Sequence, residues 1–95
     1  MPIEFHFQEG FSGQTFEIIA SGSICATVTA RTRYQINLAH IETIELNDSD
    51  EVVIRERAGQ IETSVQIHHN KPFVVLNLVN GKLQVEETSQ SPGYV

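Results

Sequence analysis

Alternation with a period of two runs along most of the chain. Ile3, Phe5 and Phe7 alternate with Glu4, His6 and Gln8, and Phe16, Ile18 and Ala20 alternate with Thr15, Glu17 and Ile19. Ile24, Ala26 and Val28 alternate with Cys25, Thr27 and Thr29, and Tyr34, Ile36 and Leu38 alternate with Gln35 and Asn37. Shorter runs follow at 41–46 and 52–55, and Ile61, Thr63, Val65 and Ile67 alternate with Glu62, Ser64, Gln66 and His68. Successive side chains of a strand point to opposite faces, so each run reads as a half-buried strand. Phe73–Val79 is largely apolar on both faces and suits a strand inside a sandwich; Lys82–Glu86 is apolar on one face and suits a neighbour with a wet side.

Turn residues fall between these runs. Asn80-Gly81 supplies the positive φ angles of a type I′ hairpin turn. Ser21-Gly22 predicts a second hairpin, and Asn47-Asp48-Ser49-Asp50 is a turn cluster. Gly10 and Gly13 frame a loop with Phe11 at its tip. No stretch sustains a helical period. About nine short strands with turns every 8–12 residues predict an all-β antiparallel sandwich, Ig-like or transthyretin-like, with a small β-barrel as the alternative. The pattern divides the chain into a sandwich domain at 1–87 and a C-terminal tail at 88–95.

Ninety-five residues suffice for one core, since a chain of this size buries roughly 60–65% of its unfolded surface. No apolar run approaches the roughly 20 residues of a membrane helix. The opening Met1-Pro2-Ile3-Glu4 does not resemble a secretory leader, and a single cysteine excludes an internal disulfide framework. These features predict a cytoplasmic protein. The formal charge of −6 disfavours nucleic acid and other anionic surfaces. Arg31/Arg33 and Arg55/Arg57 are exceptions, each pair spaced to share one side of a strand.

Gln8-Glu9-Gly10-Phe11 after the first strand and Pro92-Gly93-Tyr94-Val95 at the end together resemble a group of small bacterial all-β proteins of unassigned role. The resemblance implies that the 9–13 loop and the 92–95 tail matter to a shared structure or contact. It brings no catalytic residue and no cofactor.

Candidate chemistry is sparse. Cys25, among small residues on a strand, reads as a small buried hydrophobe rather than a reactive thiolate. His40, His68 and His69 are possible metal ligands, yet no C-x-x-C or H-E-x-x-H spacing joins them. Asp48, Asp50 and Glu51 offer hard oxygens for calcium, although turn chemistry explains them equally well. The carboxylate pairs Glu42/Glu45 and Glu86/Glu87 show nothing that would split their acidities for acid–base work.

The expectation is therefore a non-enzymatic protein-interaction or adaptor module, acting through its end loops, a sheet edge and its tail. Gly10, Phe11, Ser12, Gly13, Tyr94 and Val95 are the candidate contacts. Phe11 has a competing place, folded back on the core. Sheet edges also make homo-oligomerisation an expectation. Carbohydrate binding, which needs exposed aromatics beside polar groups, and zinc or calcium binding are the alternatives.

Overall fold

The structure, a computed structural model, describes residues 1–93. Tyr94 and Val95 lie outside the described residues, so the expected tail contact at those positions is not placed. Among the described residues, eight strands form two four-stranded sheets. β1 (Pro2–Phe7), β4 (His40–Glu45), β7 (Phe73–Val79) and β8 (Lys82–Thr88) make the first, in the order β4-β1-β7-β8. β2 (Ser12–Ala20), β3 (Ser23–Arg31), β5 (Glu51–Glu56) and β6 (Glu62–Gln66) make the second, in the order β3-β2-β5-β6. The two sheets remain separate, which gives a sandwich and excludes the closed barrel. No helix long and apolar enough to cross a membrane occurs among the described residues.

The inner faces follow the sequence alternation. Ile3, Phe5, Phe7, Val74 and Leu76 of the first sheet and Phe16, Ile18, Val52 and Ile54 of the second are fully buried. β7 is buried on both sides, Val75 on its outer face included. Both expected hairpin turns have the required geometry, with φ of 53° and 74° at Ser21-Gly22 and 51° and 76° at Asn80-Gly81.

Five details depart from the sequence reading. Residues 34–38 are not a strand but a tight turn. Arg33 and Leu38 face each other across an isolated bridge, and Asn37 takes φ 53°. That removes the ninth strand. β1 pairs with β7 in parallel, Glu4 to Phe7 lying opposite Phe73 to Leu76, so the sandwich is not wholly antiparallel. Cys25 is exposed rather than buried, because the register slips between Ile18 and Ile19 and leaves it as the extra residue of a β-bulge. His6, expected on a wet face, is only 1% exposed. It packs edge-on against Phe73 and bonds the Glu4 carboxylate through Nε2 at 2.9 Å. Lastly, β8 continues to Thr88, one residue past the expected boundary.

Candidate functional site

The β3–β4 connection crosses from one sheet to the other and is clamped at both ends. At its start the Thr32 backbone N–H donates to the Phe11 carbonyl (2.9 Å). The Thr32 hydroxyl accepts from the Phe11 N–H (3.0 Å) and donates to the Gln8 carbonyl (2.7 Å). At its end the Ala39 N–H donates to the Phe7 carbonyl (2.7 Å). Between the clamps, Arg33 and Leu38 close the turn, the Arg33 N–H donating to the Leu38 carbonyl at 2.9 Å. Fixed ends and a short closed turn leave Tyr34, Gln35 and Asn37 exposed, with Ile36 half-buried.

A cleft of about 530 Å³ opens there, walled by Arg31, Arg33, Tyr34, Gln35 and His40, with Thr29 at the β3 side. Tyr34 is 73% exposed, the most exposed large apolar residue described. Arg31 and Arg33 are both exposed, and neither joins an ion pair among the described residues. The second arginine pair contrasts with them. Arg55 Nη2 lies 3.1 Å from one Glu17 carboxylate oxygen and Arg57 Nε lies 3.9 Å from the other. Glu17, on β2 opposite Arg55 of β5, has its side chain 14% exposed and offsets one of that pair's two charges in place. One acid faces the cleft's own wall, since Glu42 bonds His40 Nε2 at 2.9 Å. The cleft thus presents guanidinium donors and an aromatic face on an otherwise acidic molecule.

The expected contact loop supports this cleft from behind. Phe11 is 2% exposed, its ring 5.5 Å from that of Phe7 and 5.6 Å from that of Phe16, so its expected role as a surface contact gives way to a core role. Gly10, at φ 91°, sits against the Leu78 carbonyl, where a Cβ would come within 1.9 Å of the oxygen. The neighbouring backbone is stitched to β7: the Leu78 N–H donates to the Glu9 carbonyl (2.9 Å) and the Glu9 N–H to Asn77 Oδ1 (2.8 Å). Gly13, at φ 108°, lies under the Arg31 guanidinium, and a Cβ there would approach Nη2 to 2.6 Å. Ser12 is exposed at the start of β2.

The expected metal ligands are not brought together. His40 is engaged with Glu42, His68 Nδ1 with Glu87 (2.9 Å), and His69 Nε2 donates to the Leu46 carbonyl (3.0 Å). Asp48 accepts the His69 N–H and Asp50 accepts the Asn47 N–H, each at 2.8 Å, so both acids tie turns. Glu51 opens β5, exposed. No group of three His, Cys, Asp or Glu side chains converges among the described residues.

Sequence reasoning marked Arg31 and Arg33 as a pair but attached no site to them. The signal lay in the residue between them: a threonine flanked by arginines, whose hydroxyl becomes the buried clamp. No family model matches the chain, and neither the curated proteins nor the solved structures give a match.

Proposed function

We propose that this sandwich is a non-enzymatic protein-interaction module that captures an acidic segment of its partner in the β3–β4 cleft. The observation that supports it is the pair of exposed guanidiniums, Arg31 and Arg33, without ion-pair partners among the described residues and beside the exposed Tyr34, on a chain of charge −6. Arginine forks suit carboxylates, because two parallel N–H groups meet two oxygens. The Tyr34 ring adds apolar contact area at low conformational cost.

Fluorescence anisotropy with a labelled peptide of alternating Asp and Ser, and with its Lys counterpart, tests the reading. The acidic peptide binds, more weakly as salt rises, and R31E/R33E reduces its affinity by about tenfold or more, while the melting temperature of the variant is unchanged. Equal binding by the variant, or preference for the Lys peptide, overturns the proposal.

A second reading has one observation in its favour. Tyr34 is an exposed ring beside Gln35 and His40, the arrangement on which a sugar stacks. A glycan array whose hits vanish with Tyr34→Ala but survive R31E/R33E would favour it over the acidic segment.

A further inference from the structure

We infer that the partner segment binds as an added strand along the free edge of β3, its acidic end lying in the cleft. This rests on the acidic-segment reading above and adds the mode of capture.

The sandwich has four edge strands: β4 and β8 in one sheet, β3 and β6 in the other. Exposed edges invite pairing, and proteins blunt them with charge, short length or inward-pointing ionic groups. β4 sets His40 and Glu42 in register with Phe7 and Phe5 of β1, on the inner side of the sheet, where an added strand would have to bury them. β8 carries Lys82, Glu86 and Glu87, and β6 is only five residues long and opens on Glu62. β3 differs. From Ser23 to Ala30 it has no charged residue and no proline.

Its bulge at Cys25 disturbs only the hairpin end. From Ala26, opposite Ile18, to Ala30, opposite Gln14, the register with β2 is regular. Five extended residues span about 16 Å, enough to pair with a short segment through main-chain hydrogen bonds. Thr27 and Thr29 face outward along this run, β-branched side chains that accept a neighbouring strand. The edge then runs directly into Arg31, and Thr29 already lines the cleft.

Charge complementarity selects the occupant. A neutral edge ending on two arginines without ion-pair partners among the described residues fits an extended segment with a neutral β-branched run beside an acidic cluster. A second copy of this chain would bring another charge of −6 to the same face.

The test uses the full ¹⁵N-labelled chain and a synthetic decapeptide, a Thr/Val run followed by three aspartates. Two analogues carry backbone N-methyl groups on alternate residues of the run, one set on odd positions and one on even. Strand addition slows amide exchange within Ala26–Ala30. One methylated analogue loses about tenfold or more in affinity while the other binds like the parent. If the parent binds with Arg31 and Arg33 dependence but both analogues bind equally and β3 amides are unprotected, strand addition is overturned and the cleft reading stands. If R31E/R33E binds the parent as the wild type does, both fall. A β3-protected dimer in sedimentation velocity without peptide also overturns the inference, since the edge then takes a second copy.

Discussion

Gly10→Ala is the substitution whose cost the structure defines most fully. An alanine there must hold φ near 91°, outside the conformations L-residues favour, at a cost of about 1–3 kcal/mol. Its Cβ would also lie 1.9 Å from the Leu78 carbonyl oxygen, so the backbone of the Gln8–Phe11 segment has to move off β7. That movement lengthens the Leu78-to-Glu9 and Glu9-to-Asn77 hydrogen bonds, each worth about 0.5–1.5 kcal/mol net. The sum is about 2–6 kcal/mol against a total stability of about 5–14 kcal/mol for 95 residues. Gly22→Ala is the matched control. Its φ is 74° and nothing lies within 4 Å of the added Cβ, so only the conformational term applies. Urea unfolding of both variants, followed by circular dichroism, separates the contact term from the strain term. Gly10→Ala should be the less stable by about 1–3 kcal/mol, the two hydrogen bonds together. Equal midpoints for the two variants would refute the placement of Gly10 against β7.

Phe11→Ala removes a buried ring from the Phe7/Phe16 cluster and should cost about 3–5 kcal/mol in denaturant unfolding; a loss under about 1 kcal/mol would return Phe11 to the surface. Thr32→Val keeps the shape but strands the buried Phe11 N–H, a loss of about 1–3 kcal/mol, with faster amide exchange at Phe11 as the local signature. Gly13→Ala displaces the Arg31 guanidinium, so acidic-peptide affinity should fall while Arg33 side-chain NMR shifts stay in place. Glu17→Gln loosens the half-buried Arg55 and the exposed Arg57 at a cost of about 1 kcal/mol, read from the melting midpoint, because the guanidinium ends still reach water.

Much of the sandwich was legible because burial imposes a period of two. The Asn80-Gly81 hairpin, the inward Ile3, Phe5 and Phe7 and the doubly buried β7 all follow from local pattern. What the pattern misread were places where tertiary contacts overrule it. Tyr34, Ile36 and Leu38 alternate as a strand would, yet the bridge from Arg33 to Leu38 folds them into a turn. Cys25 belongs to an alternating run, but the bulge turns it out to solvent. His6 looks polar-faced until Phe73, nearly seventy positions away in sequence, is brought beside it. The cleft is the same kind of case. Its arginines lie two apart in sequence, but their lack of ion-pair partners among the described residues depends on which strands lie nearby, and Glu17 reaching Arg55 rather than Arg31 is a fact of sheet order.

The parallel pairing of β1 with β7 has a consequence for biogenesis. β1 is a central strand whose partner β7, from residue 73 onward, is synthesised only after the five intervening strands. Until then one side of Ile3, Phe5 and Phe7 has no neighbour, and the sheet can only begin as the β1–β4 ribbon. Closure waits on distant parts of the polypeptide meeting, the kind of topology that folds slowly and leaves sticky intermediates in the meantime. The nascent molecule is therefore most vulnerable to misassembly in the interval before β7 is made.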